Sequence, residues 1–373
     1  MEYILNKDIK RLASLGLYNG EFGVFLYLSL YNKVFPDAII ENINSTYTEQ
    51  IIQQWSDYPD NHTYCSGTSG ILDMLYYLEE KNIYHIDLTE AIDYMENSIA
   101  NKMIQDISEG NYDFLHGALG PASYLLNRNS KLDYVENFIY LLYKYSAKGN
   151  GMHKWPFFDE IGGNKTYNIS LSHGISSIVL FLTEAYRKNI AIEKVTELLF
   201  GSISYILDQK FDSVTDNLSM FPSFSKENDT MPSRLGWCYG DLRIAVALWK
   251  AGESLKQDDY KKWAIRIVEN ALSRINLASN LVYDAGICHG TTGIAIIFQH
   301  YWEEMKLDKI LTIRDYWIHE TVKMIPFVNH QKLELSQWCL NSYNLLMGIS
   351  GIGLVLLSFI TRDFSWKRLF LLR

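Results

Sequence analysis

Four cysteines and nine histidines are the residues of this 373-residue chain best able to hold a metal or move protons. Their placement is ordered. Cys65, Cys238 and Cys288 each stand two residues before a glycine that opens a long apolar run, and His116, His173 and His289 each stand one residue before such a glycine. Both columns therefore fall at expected helix N-termini, where free N–H groups and the helix dipole stabilise thiolates and developing oxyanions. Singly, each of these residues would more often be packing than a ligand. Together, Cys238, Cys288 and His289 from neighbouring positions make a donor set suited to zinc, and three protein ligands leave a fourth position open, as in catalytic zinc sites. The adjacent Cys288–His289 pair is unlike a structural finger, whose cysteines and histidines come in spaced pairs. Cys65 and Cys339 are expected in the core.

His173 is the best-placed general acid or base. Asp113, four residues before Gly117, is a candidate to orient it or charge-pair with it, with helix capping as the competing role. His116 shares the histidine column, but no second feature of the sequence supports it. Arg234, Trp237 and Tyr239 surround Cys238 and are expected to flank the metal, Tyr239 and Arg234 as catalytic groups and Trp237 against substrate, with core packing the competing role for Trp237. Two long polar connections, 148–170 and 208–233, lead directly to His173 and Arg234. Loops of that length are commonly functional, and both are candidate substrate walls.

Positioning these groups requires a repeat. A Gly-x-x-Gly step followed by an apolar helical run begins at Gly20, Gly67, Gly117, Gly174, Gly240, Gly290 and Gly348, with Ser177 and Arg243 replacing the second glycine in copies four and five. The copies lie 47 to 66 residues apart, room for two helices and their turns. Between them run amphipathic segments such as DYVENFIYLLYKYSA and YKKWAIRIVENALSRI, with apolar residues at i, i+3, i+4 and i+7. The runs after the glycines are apolar nearly all round, as buried helices are. The expected architecture is one all-α domain over residues 1–373: an (α/α) toroid of seven inner and seven outer helices. A stacked solenoid would not need a glycine at every inner-helix start. The first outer helix must be short, because the first motif already begins at Asn19.

Composition agrees. The chain is 48% hydrophobic and 21% charged, enough for a large core and incompatible with disorder. A net charge of -9 argues against nucleic-acid binding. The N-terminal stretch is interrupted by charge and carries no signal-peptide core, so a cytoplasmic location with reduced thiols is expected, at most peripheral to a membrane through a complex. The uncharged stretch 335–361 is long enough to question as a span, but its polar residues and glycines, and its second half being a repeat copy, argue against one.

The GWCYG at Gly236 to Gly240, the CHG at Cys288 to Gly290, the SHG at Ser172 to Gly174 and the seven glycine steps resemble the lanthionine synthetase C family, the lantibiotic cyclases, over nearly the whole chain. The resemblance implies a zinc ion held by Cys238, Cys288 and His289, and active-site roles for His173, Asp113, Arg234, Trp237 and Tyr239. It implies a Michael-type addition, in which a peptide cysteine thiol adds to a dehydroalanine or dehydrobutyrine of the same peptide and closes a thioether ring. The implied substrate is a dehydrated ribosomal precursor peptide, with a dehydratase and an exporter as further partners. The connections are too short to hold the extra inserted domain of some members. Competing readings are a relative that adds glutathione or another free thiol, a zinc-stabilised binding subunit without catalysis, and a prenyltransferase subunit, whose site type would be expected to include a carboxylate ligand that the columns do not supply.

Overall fold

The computed structural model describes residues 14–36, 61–158, 165–212, 218–227, 231–325 and 342–373, with single positions between 41 and 55. Helices α1 (Glu21–Val34) and α2 (Thr68–Glu80) come first. Five outer–inner pairs follow: α3 (Ile92–Ser108) with α4 (Leu119–Arg128), α5 (Leu132–Tyr145) with α6 (Ile175–Arg187), α7 (Ile192–Asp208) with α8 (Asp241–Leu255), α9 (Asp258–Leu272) with α10 (Thr291–Met305), and α11 (Asp308–Met324) with α12 (Ile349–Thr361). The seven apolar runs after the repeat glycines are thus seven inner helices. The first outer helix and Cys339 lie outside the described residues.

Burial separates the two layers as the periodicity predicts. In outer helix α9 only Ala264, Ile267, Val268 and Ala271 are buried, one stripe at i, i+3, i+4 and i+7. In inner helix α10 every residue from Thr291 to Tyr301 is buried. At about 1.5–3 kcal/mol for each large apolar side chain removed from water, the inner layer carries most of the driving force for folding.

The residues just before the inner helices close the ring. In six of the seven copies, the N–H two residues before the first glycine donates to the carbonyl at the same position of another copy. Tyr18 donates to Cys65 O (3.0 Å), Cys65 to Leu115 O (3.0 Å), Ser172 to Cys238 O (3.2 Å) and Cys238 to Cys288 O (3.1 Å). Cys288 then donates to Leu346 O (3.0 Å), and Leu346 back to Tyr18 O (2.8 Å). That last bond joins the seventh copy to the first, so the chain is a closed toroid and not a solenoid. All seven inner helices start at this girdle and run parallel from it. Glycine is needed where copies press together: a Cβ on Gly120 would lie 2.5 Å from Cβ of Tyr64 in the preceding copy.

Like a strand, the girdle alternates its side chains. Three residues before the glycines stand Leu17, Tyr64, Phe114, Leu171, Trp237, Ile287 and Leu345, all essentially fully buried in the barrel. One residue before them stand Asn19, Ser66, His116, His173, Tyr239, His289 and Met347, all at least partly exposed on the rim.

At the barrel axis the 3-10 turn Ser365–Phe370 and the residues after it form a plug. Phe370 stacks on Tyr18 of copy one (4.6 Å between centroids) and meets Trp237 of copy five edge-on (5.5 Å). Tyr18 Oη donates to Leu369 O at 2.5 Å, and Trp237 Nε1 to Phe370 O at 3.0 Å. Arg243, which stands in a glycine slot, is fully buried and donates to the carbonyls of Phe370 and Leu371.

The connection 148–170 is not a plain loop. It forms two antiparallel hairpins, β1 (Ala147–Gly149) with β2 (Met152–Lys154), and β3 (Pro156–Phe158) with β4 (Lys165–Tyr167), in registers pairing Ala147 with Lys154 and Pro156 with Tyr167. It joins the other long connection through Ser225 N donating to Tyr167 O (2.9 Å) and a Lys154–Glu227 ion pair (2.5 Å). No helix among the described residues is long and apolar enough to cross a membrane.

Candidate active site

Each inner-helix start is preceded by the same turn. Six residues before the first glycine stand Ser14, Asn61, Asn111, Asn168, Asp284 and Ser342. The side chains of several bond the amide two residues on: Asn61 Oδ1 accepts from Thr63 N (3.0 Å), Asn168 Oδ1 from Ser170 N (2.8 Å) and Asp284 Oδ1 from Gly286 N (2.7 Å). Their carbonyls accept from the first turn of the helix, as Asp284 O does from Thr291 N at 3.0 Å. Copy five alone carries Arg234 in this column, and there Gly240 takes the left-handed φ of +96°. The turn that holds Cys238 is therefore built differently from its six relatives.

Two His–Asp pairs stand on the rim on either side of Cys238. His173 Nδ1 lies 2.5 Å from Asp113 Oδ2, and His289 Nδ1 lies 2.7 Å from Asp284 Oδ2. Both carboxylates are buried and both imidazoles are about three-quarters so. Burial alone would lower the pKa of His173, but the hydrogen bond and charge of Asp113, with the charge of Cys238, raise it above the ordinary histidine value. For His289 the hydrogen bond it donates to Asp284 is the largest effect, and its pKa is raised as well. In each pair the carboxylate occupies Nδ1 and fixes the orientation of the ring.

Between them, Cys238 and Cys288 interact through their thiols. The hydrogen bond from Cys288 holds the Cys238 thiol down at about 7 against the cost of burial, with help from the charges of His289, Arg234 and His173. The same bond, with burial, pushes Cys288 up. Cys65 is buried elsewhere in the column, where burial drives its thiol up to about 12. Among the described residues no three His, Cys, Asp or Glu side chains are drawn together at metal-binding distance, so the Cys238, Cys288 and His289 set is not preassembled as a complete ligand sphere.

Tyr239 continues the rim. Its ring lies 6.1 Å from that of His173 and 5.7 Å from Phe224 of the 208–233 connection, and burial holds its phenol up at about 12, so it remains a neutral donor. Arg234 donates from Nη2 to Leu281 O at 2.9 Å. Trp237 requires a correction. Expected to bind substrate, it is fully buried, with its indole N–H donated inward to Phe370 O. It belongs to the inward column, whose seven members are all aliphatic or aromatic, a regularity the sequence already contains.

The sequence reading missed two residues. Asp284 orients His289, and its signal was its place as the one acidic member of a turn column of Ser, Asn and a single Arg. His116, set aside for want of a second feature, stacks on His173 at 6.2 Å and 21°.

A closed double ring of helices with thiols, imidazoles and carboxylates at the inner-helix N-termini defines an α/α toroid with a polar rim site. The family model for Lanthionine synthetase C-like protein matches residues 12–371, and the chain belongs to that family. It is 23% identical over 348 residues to Nisin biosynthesis protein NisC of Lactococcus lactis subsp. lactis, a match that covers 83% of this chain and 82% of the relative. Its structure is similar to that of Nisin cyclase, with a TM-score of 0.80 and 21% identity, covering 97% of this chain and 93% of the other.

Proposed function

We propose that this protein is a lanthionine synthetase: it adds cysteine thiols of a dehydrated peptide across dehydroalanine or dehydrobutyrine residues of the same peptide to close thioether rings. The observation that carries the reading is the Asp113–His173 pair set on the rim beside the Cys238–Cys288 thiols, within a chain that belongs to the lanthionine synthetase C-like family. The addition needs a thiolate at one point and a proton donor at Cα a short distance away, and this rim has groups suited to both tasks.

The donor set fits zinc by its chemistry. The Cys238 thiol is held down by its interaction with Cys288, and His289 has Nδ1 held by Asp284, with no partner at Nε2 among the described residues, as a metal-bound histidine is held by an outer carboxylate. Zinc held by Cys238, Cys288 and His289 would keep a substrate thiol deprotonated at neutral pH.

The chain's own residues supply the rest. His173, oriented by Asp113 and carrying a raised pKa, donates its proton to Cα of the enolate that forms as sulfur attacks the β-carbon. Arg234 and the neutral Tyr239 offer donors to the developing enolate oxygen. The connections 148–170 and 208–233, tied by Ser225–Tyr167 and Lys154–Glu227, wall the site, with Phe224 against Tyr239. The dehydrated precursor is the substrate, and a dehydratase and an exporter are the partners this role calls for. The reading places the protein in the cytoplasm.

The test is reconstitution. Purified protein should carry one zinc and consume the free thiol of a dehydrated Cys-containing peptide. Chelation should stop the reaction and added zinc restore it. Thiol consumption that is indifferent to chelation and to Cys238→Ala would overturn the reading.

A further inference from the structure

The junction between copies three and four differs from the other six. Among the described residues the girdle bond from copy to copy is present at six junctions, and here it is replaced by side chains. Asp113 bridges the gap with both oxygens. Oδ2 meets His173 Nδ1 at 2.5 Å, and Oδ1 accepts the backbone N–H of His116 at 2.7 Å. The imidazole of His116 lies nearly parallel to that of His173, with 6.2 Å between centroids. It is exposed on the rim, and its ring nitrogens make no hydrogen bond among the described residues. One carboxylate thus fixes two imidazoles side by side: His173 with Nδ1 occupied, His116 with both nitrogens open to a bound peptide.

We propose that His116 is a second catalytic histidine, the base that receives the substrate thiol's proton while His173 acts as the acid. This rests on the cyclase reading above. The addition moves two protons in opposite senses. The thiol S–H bond breaks and its proton passes to His116. Sulfur forms a bond to the β-carbon, and the π electrons of the double bond move to Cα. His173 delivers a proton to Cα. The cycle ends with His116 charged and His173 neutral, and transfer of one proton between the neighbouring rings through water restores the start. No proton is gained or lost overall. The charge distribution is consistent: burial, opposed by Asp113 and reinforced by the charge of His173, lowers the pKa of His116, while that of His173 is raised. Two adjacent imidazoles rarely carry charge together, and the carboxylate bond decides which one does.

The test uses the zinc-loaded protein and a dehydrated Cys-containing peptide, with His116→Ala and His116→Gln. The expected result is a fall in kcat of about 10²-fold in both variants, with KM and zinc content unchanged. Added imidazole should restore His116→Ala, because the ring leaves an opening on the exposed rim, and should not speed the wild type. A kcat within about twofold of wild type, or a loss that imidazole does not rescue and Gln repairs, assigns His116 a packing role and overturns the proposal. A wild type that consumes no thiol overturns instead the cyclase reading on which it rests.

Discussion

At the scale of single residues, the site is two carboxylate–imidazole pairs flanking two thiols, and each pair makes a distinct prediction. Asp284 spends one oxygen on the turn at Gly286 and the other on His289. Asp284→Asn should keep the turn and weaken zinc binding about 10–100-fold, as loss of an outer-sphere carboxylate does, which a chelator competition measures. Asp113→Asn acts on a proton. Asp113, Cys238, His116 and Tyr239 face His173, and Asp113 is chiefly responsible for raising its pKa above the usual value. A step that needs the imidazolium fails as pH rises through that raised pKa. The variant should therefore lose activity at lower pH than the wild type on the alkaline side of its kcat profile, and an unmoved alkaline limb would contradict the acid role. The thiols, His173 and His289 were legible because the repeat aligns them. Asp284 was not, because an Asp at that position reads as one more turn former beside Ser and Asn, and Trp237 was misassigned because its neighbours in sequence are site residues while its side chain points the opposite way.

At the scale of elements, the inner helix α8 shows how the cysteine turn is fixed. Asp241, its first residue, is fully buried and accepts from Met220 N (2.7 Å) and Phe221 N (3.2 Å) of the wall connection. Arg274, just past the end of α9, reaches the same carboxylate at 3.3 Å and also holds Ser233 O (2.7 Å) and Asn280 Oδ1 (2.8 Å). One buried ion pair thus ties the wall, the Arg234 turn and the next repeat to the helix that follows Cys238. Removing one partner of such a pair leaves an uncompensated charge, and Asp241→Ala should cost about 3–5 kcal/mol in urea unfolding. The helices themselves were readable from periodicity and the glycine step. The hairpins β1–β2 and β3–β4 were not, because strands of three residues are too short to show an alternating pattern and are held by contacts with the neighbouring connection.

At the scale of the whole molecule, the ring and its plug account for the composition. An inner layer enclosed by an outer one, and filled at the axis, hides apolar surface on both sides. Ring closure was foreseeable from seven equivalent copies. The plug was not, because Trp366, Leu369 and Phe370 repeat nothing elsewhere in the chain, and Arg243 reads as a lapse in the glycine pattern until its carbonyl partners are seen. Phe370 touches copies one and five at once, so Phe370→Ala should cost about 3–5 kcal/mol of stability by urea titration. The central claim, that this toroid adds a peptide thiol across a dehydroamino acid at the rim around Cys238 and His173, is tested most directly in D2O. A dehydrated Cys-containing peptide is incubated with the zinc-loaded protein, treated with a thiol-alkylating reagent and weighed by mass spectrometry. The account predicts one non-exchangeable deuterium at Cα for each ring and no alkylation, with both effects lost in Cys238→Ala; a fully alkylated peptide without deuterium from the wild-type protein would contradict it.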